Sequence, residues 1–393
     1  MALPMPLTGA APAQDGALRC AMVAGEASGD VLAGLLLDGL RARWPALLAQ
    51  GIGGPGMAQR GFEAWWPHDR LAVRGYVEVL RHYRGIVAIR AALQQRLVQE
   101  PPDVFIGVDA PDFNLELERA LRQRGIKTVH FVCPSVWAWR ADRLQAIRAS
   151  ADHVLCLFPF ESDLLRQHGI AATYVGHPLA SMIPLVPDRQ AARAALGLDA
   201  SAQVVALLPG SRRSEIEYLA RRFLDTLVLL RRQRPEIRCV MPAVGALKQR
   251  LEQIAAQAGV AAHVQILAGQ SHAALAACDV ALVASGTATL EAALFKRPMV
   301  IAYTMHWLSW QLMRRQRLQP WVGLPNILCR EFVVPEYLQE QATPETLAAG
   351  LLRWLDSQQA VAALERRFTD LHHELLRDTA RLACDAIEHV LGA

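Results

Sequence analysis

Twice along this 393-residue chain, short apolar runs alternate with helix-length amphipathic segments, and that alternation limits the fold more than any other feature. In the first half, residues 18–24, 104–108, 128–132 and 153–157 read as strands. Residues 31–43 carry leucines at 32, 35, 36 and 40, close to a helical period, and residues 115–124 make another helix. The second half restarts the pattern, with strands at 204–208, 239–242, 264–267, 280–284 and 298–302 and helices at 214–234, 246–258, 273–277 and 289–295. Strands alternating with helices imply parallel sheets with right-handed crossovers. Residues 181–188, SMIPLVPD, hold two prolines and no period, and read as a linker. The expectation is an α/β chain of two parallel-sheet domains, with a cleft between the carboxyl ends of the sheets.

Composition excludes several classes. The chain is 52% hydrophobic and 20% charged, which suits a globular protein, and its net charge of +4 is too small to mark a nucleic-acid binder. Its seven cysteines are odd in number and form no C-x-x-C pair. That argues against a disulfide framework or a zinc site and suits a reducing cytoplasm. No apolar run reaches the length of a membrane span. Residues 1–17 lack a basic start and a long apolar stretch, so they are expected to be a disordered leader.

Three loops of small residues follow predicted strands: GEASGD (25–30), PGSRRSE (209–215) and SGTATLE (285–291). Each is expected to offer unpaired backbone N–H groups and a helix start to an anion. The second adds Arg212 and Arg213, and Ser285-Gly286-Thr287 opens a helix whose Glu291 lies about one turn in, within reach of a ribose. The stretch Gly51-Ile52-Gly53-Gly54-Pro55-Gly56 matches G-x-G-x-x-G, but it neither follows the first strand nor opens a long helix, so a dinucleotide loop is not expected. No P-loop, HExxH or tight His/Cys cluster occurs, and His372-His373-Glu374 reads as a solvated helix face rather than a ligand set.

The octapeptide GVDAPDFN (107–114) places Asp109 and Asp112 three apart at a strand's end. Asp109 as a helix cap with Asp112 in the first turn is one reading; Asp109 as a base facing the cleft is the other. Two stretches combine aromatic and basic residues. Residues 65–96 hold Trp65, Trp66, Tyr76, Tyr83 and six arginines, among them Arg74, Arg81 and Arg84; residues 305–321 hold Trp307, Trp310, Trp321, Arg314, Arg315 and Arg317. Either suits contact with an anionic bilayer, and either also suits an amphipathic helix packed on its own domain.

GEASGD, GVDAPDFN, PSVWAWR (134–140), LLPGSR (207–212), ASGTATLE (284–291) and LPNIL (324–328) occur in this order. Together they resemble the lipid-A-disaccharide synthase family of inverting GT-B glycosyltransferases, over nearly everything from residue 18 on. The resemblance implies a GT-B architecture of two Rossmann-like domains, with an acceptor-side domain over 18–183, a UDP-sugar domain over 184–365, and a last helix in 366–393 crossing back. It implies transfer of 2,3-diacylglucosamine from its UDP derivative to the 6-hydroxyl of 2,3-diacylglucosamine 1-phosphate (lipid X), with inversion and no metal or cofactor, at the inner face of a Gram-negative inner membrane.

An inverting transfer needs a base, positive partners for the leaving diphosphate and fixed geometry. Asp109 takes the base's role by resemblance. Ser211, Arg212 and the backbone of Ser285, Gly286 and Thr287 suit the diphosphate, and the resemblance implies Glu291 on the ribose and Asn326 lining the nucleotide side. By the same resemblance Glu26, Ser28 and Asp30 fall on the acceptor side, as do Trp137, if it walls that pocket rather than packing in the core, and Arg140, near a phosphate; His177 reads as a hydrogen-bonded hinge histidine. A UDP-N-acetylglucosamine 2-epimerase-like enzyme and a non-catalytic nucleotide-sugar or lipid binder are the rival readings. Whether the chain dimerises by exchanging C-terminal helices stays open.

Overall fold

The computed structural model describes residues 17–67, 71, 76–138 and 143–392. The expected leader therefore lies outside the described residues but for Ala17. Two compact units divide the chain, one running through Pro178 and resuming at Arg377, the other spanning Leu179–Leu376.

In the first unit the described strands are β1 (Arg19–Ala24), β2 (Leu48–Gly53), β3 (Glu63–Pro67), β4 (Val104–Val108), β5 (Lys127–Phe131), β6 (His153–Cys156) and β7 (Ala172–Tyr174), in the order β3-β2-β1-β4-β5-β6-β7. In the second they are β8 (Val204–Leu208), β9 (Arg238–Ala243), β10 (Val264–Ala268), β11 (Val280–Ala284), β12 (Met299–Tyr303) and β13 (Glu336–Leu338), in the order β10-β9-β8-β11-β12-β13. Both sheets are parallel and Rossmann-like. Their strand order reverses between β1 and β4 and between β8 and β11. β4, β8 and β11 are buried along their whole length, as central strands covered by helices on both faces must be.

The glycine-rich stretch at 51–56 proves to be the end of β2 and the start of the helix Pro55–Ala58. Gly51 has φ +139°, and a Cβ there would lie 2.2 Å from the Met22 carbonyl oxygen, so only glycine lets β2 lie against β1. The amides beyond it are filled from inside the protein. Asp30, 5% exposed in the first turn of the helix Ala27–Arg43, accepts Gly54 N–H (2.8 Å) and Met57 N–H (3.1 Å) on one oxygen and Gly56 N–H (2.7 Å) on the other. Asp30, expected on the acceptor side, is thus a clamp within the fold.

The unit boundaries differ from those expected at 183 and 365. Residues after Pro178 are pinned to the second unit: the Ala180 carbonyl accepts from His372 Nε2 at 2.7 Å, and Lys296 Nζ reaches the Pro184 carbonyl at 3.4 Å. His372 Nδ1 lies 2.5 Å from Lys296 Nζ, and burial holds that amine down at about 8. His372 is therefore buried rather than on a solvated face, while His373 and Glu374 are exposed. The helix Gln358–Leu375, which carries His372, stays with the second unit; only the helix Thr379–Gly392 packs in the first, against the helix Ala27–Arg43 of the same chain. A Cβ on Gly39 would strike Ala380 Cβ at 2.7 Å, and Arg43 pairs with Asp385 and Glu388.

Two outcomes follow. Asp30→Ala leaves three amides without their charged acceptor and lowers stability by about 3 kcal/mol, read from the urea midpoint; an unchanged midpoint refutes the clamp. His177 is 6% exposed with its ring 5.7 Å from that of Phe158, and burial holds it down at about 4. Its folded value lies below its unfolded one, so its contribution is complete above pH 6.5 and is lost as pH falls toward 4. His177→Gln should lose roughly 2 kcal/mol less than the parent between pH 7 and pH 5.

Candidate functional site

At the carboxyl end of β4 the backbone takes two successive left-handed residues, Asp109 (φ 51°) and Ala110 (φ 44°). Each costs about 1 kcal/mol for a residue with a Cβ, and such strain gathers at functional sites. It is held in place on two sides. Asp109 N–H donates to the Phe131 carbonyl at 2.9 Å, and buried Asn114 donates from Nδ2 to the Asp109 carbonyl at 2.8 Å. The residue capping the helix Pro111–Arg122 is Ala110, which makes no side-chain cap, so the cap reading of Asp109 does not hold. Asp112 sits in the first turn and pairs with Arg143.

The loop after β1 meets this strand end. A Cβ on Gly25 would lie 3.2 Å from Ala110 Cβ, and one on Gly29 would lie 3.7 Å from the Val108 carbonyl oxygen. Glu26, the half-buried N-cap of its helix, and exposed Ser28 lie between those two glycines, in the loop that Gly25 brings against the residue after Asp109. Beneath lies a polar layer that sequence reasoning missed. Glu118 and His130 are both fully buried, with Glu118 Oε1 2.7 Å from His130 Nδ1. A Cβ on Gly107 would lie 2.1 Å from Glu118 Oε1, so the glycine opening GVDAPDFN makes room for that carboxylate.

Trp137 donates from Nε1 to Glu161 Oε1 at 2.9 Å and packs edge-on against Phe158 and Phe160. It belongs to an aromatic cluster of the first unit; Trp139 and Arg140 lie outside the described residues. Cys133, Cys156 and Glu161, remote in sequence, bring potential ligand atoms within 4.8 Å of one another. Glu161, however, is engaged as a cap: its second oxygen accepts Leu157 and Phe158 N–H. Burial pushes its carboxyl up to about 8.

In the second unit the loop after β8 is not the open amide cradle expected. Glu215 Oε2 accepts Ser211 N–H at 2.9 Å and Arg212 N–H at 3.1 Å, and Gly210 (φ +120°) makes way for it. What the loop offers an anion is the half-exposed Arg212 side chain, 3.5 Å from Glu215 Oε1, and the exposed Arg213. The loop after β11 is different. Ser285 turns its hydroxyl onto the Val322 carbonyl at 3.0 Å, and Gly286 (φ +147°), with open space around it, precedes the helix Thr287–Leu294 without a side-chain cap. Glu291, on that helix, lies 3.7 Å from His272 Nε2; burial raises its carboxyl and the imidazole opposes the rise.

Asn326 is fully buried and spent. It donates to the Val334 carbonyl and Glu336 Oε1 and accepts from Val334 N–H. Glu336 in turn accepts Val322 and Gly323 N–H, so Asn326 orders the segment on which Ser285 rests instead of lining the site with its amide. Neither His272 nor Glu336 stands out in sequence, because each acts across elements.

The two aromatic and basic stretches also separate. Trp65 and Trp66 are half-buried against the first unit's core, with the Arg96 guanidinium 3.7 Å above the Trp65 ring. Arg74 and the Arg81 side chain lie outside the described residues; Arg84 is exposed. In the second unit Trp307, Leu318 and Phe332 are each more than half exposed, and Arg314 and Arg315 are exposed beside them in sequence. Among the described residues no helix is long and apolar enough to cross a membrane.

The profile of the family described as "Lipid-A-disaccharide synthetase" matches residues 20–387. The lipid-A-disaccharide synthase of Albidiferax ferrireducens is 63% identical over 379 residues, covering 95% of this chain and 97% of that protein. Among solved structures, S. aureus MnaA with UDP superposes with a TM-score of 0.64 at 11% identity, over 95% of this chain and 96% of the other. WaaG, a glycosyltransferase involved in lipopolysaccharide biosynthesis, superposes with a TM-score of 0.54 at 15% identity, over 96% of this chain and 100% of the other. The structural likenesses speak for the GT-B fold alone; the sequence matches go further, and this chain belongs to the lipid-A-disaccharide synthetase family of glycosyltransferases.

Proposed function

We propose that the chain transfers 2,3-diacylglucosamine from UDP-2,3-diacylglucosamine to the 6-hydroxyl of 2,3-diacylglucosamine 1-phosphate, with inversion, giving the β(1→6) disaccharide 1-phosphate and UDP. The observation that carries the catalytic part is an aspartate whose left-handed backbone is clamped at the end of β4, beside the loop that follows β1. In this reading Asp109 takes the proton from the acceptor hydroxyl as the sugar's anomeric carbon is attacked from the face opposite UDP. Glu26 and Ser28 stand on the acceptor side. Arg212 and the helix start at Ser285-Gly286-Thr287 meet the charge on the departing diphosphate, with no metal in the step. Glu291, steadied by His272, takes the ribose hydroxyls.

The acyl chains of both substrates call for a bilayer surface, at the cytoplasmic face of the inner membrane. Exposed Trp307 and Leu318 with Arg314 and Arg315 support a contact through the second stretch. Arg84 is the described basic residue of the first stretch's membrane set that supports a contact there.

Asp109→Asn should cut turnover at least a thousandfold while UDP binding and the unfolding midpoint hold. Near-normal turnover removes Asp109 as base. UDP release that requires the lipid acceptor supports the transfer, whereas epimerisation of UDP-N-acetylglucosamine supports the rival enzyme. On vesicles containing anionic lipid the protein should sediment and be released by salt. Arg314→Glu with Arg315→Glu should weaken sedimentation; if Arg84→Glu does so instead, the contact belongs to the helix Tyr76–Gln99.

A further inference from the structure

Three buried polar atoms behind Asp109 find no hydrogen-bond partner among the described residues: Asn114 Oδ1, Glu118 Oε2 and His130 Nε2. They lie on two elements facing each other, the helix Pro111–Arg122 and β5. Unsatisfied polar atoms in a buried layer are costly, and so dense a group beside the strained backbone of Asp109 calls for a function. Packing alone would be served better by apolar residues. Space has also been cleared for the layer, since Gly107 cannot carry a Cβ without striking Glu118 and Asn114.

We propose that His130 is a positioning residue for the transfer: seated on Glu118 as an imidazolium, it holds Asp109 ionised at the end of β4, ready to accept the hydroxyl proton. This rests on the reading of Asp109 as the base. The groups around the ring are few. On the helix Pro111–Arg122 the facing charge is Glu118, and at the end of β4 it is Asp109. The ring's neighbours across the sheet are Gly107 on β4 and Val154 on β6, which carry none. Burial lowers the imidazole's affinity for its proton, but the charge and hydrogen bond of Glu118, followed by the charge of Asp109, outweigh it and leave the value raised, while burial raises the Glu118 carboxyl as well and the imidazole opposes that rise. Linkage is reciprocal: if the Asp109 charge favours the imidazolium, the imidazolium favours the Asp109 carboxylate. Asn114 supplies the mechanical half, tying the Asp109 carbonyl to the same helix.

The test is the pH profile of kcat/KM together with the imidazole signals of His130 in 13C- and 15N-labelled protein. The parent should show a cationic His130 at pH 7, and Asp109→Asn should move its titration to lower pH. His130→Asn and Glu118→Gln should each move the acid limb of the profile up by roughly one unit, with UDP affinity unchanged. A structural role would lower the unfolding midpoint and leave the limb in place. A neutral His130 at pH 7 in the parent overturns the proposal, and this readout needs no variant to fold. A limb unmoved in a folded Glu118→Gln variant overturns it too. If Asp109→Asn keeps its turnover, the base reading fails; if it loses turnover while the His130 variant keeps both rate and limb, only the present inference fails.

Discussion

Parallel pairing sets the terms for everything else in this chain. When every strand of a sheet runs the same way, each loop that leaves a strand emerges on one edge, and the reversal of strand order leaves two of those loops side by side with no helix between them. In the first unit the pair follows β1 and β4; in the second it follows β8 and β11. Small residues then decide how closely each pair approaches. Gly25 admits Ala110, whose Cβ would lie 3.2 Å from a Cβ at position 25. The residues of the proposed transfer stand at positions that the sheet topology had already brought together.

A second theme is the competition for backbone amides. A glycine loop before a helix attracts any anion, including one from the protein itself. Asp30 occupies the amides at 54, 56 and 57, and Glu215 occupies those at 211 and 212. At Gly286 no side chain caps the helix that follows. Three loops of similar composition therefore have different capacities: a carboxylate of the protein fills two of them, and no side chain caps the helix at the third. The charge of Arg212 is likewise shared with Glu215 at 3.5 Å, which holds the guanidinium near the loop without consuming it.

This explains what could be read in the sequence. β4, β8 and β11 are buried apolar runs and were evident, as were the loops after them, because strand and loop chemistry are local. β2 was missed because its close approach to β1 requires glycine at position 51, which reads as a turn. β3, β7 and β13 are short or half-exposed and lack a clean pattern. The motifs pointed to Asp109, but not to the strained backbone that sets it or to Glu118 and His130 beneath it. Asn326 and Asp30 stood out as polar residues in motifs, yet both are consumed in holding backbone segments. His372 looked like part of a polar run, and its burial depends on Ala180, almost two hundred positions away. In each case the missing information was the partner, and partners are a property of the fold.

Asp30 also bears on how such a chain can change. The stretch from Gly51 to Gly56 has the spacing of a dinucleotide loop, and a Rossmann-like unit is a common ancestor for new cofactor sites. Here the seat is taken by the protein's own carboxylate. A lineage acquiring a dinucleotide at this loop would first have to lose Asp30, and the intermediate would carry three amides with neither the old anion nor the new one. Such an intermediate is less stable than the present chain. The carboxylate thus closes an evolutionary route that the glycine spacing alone would leave open.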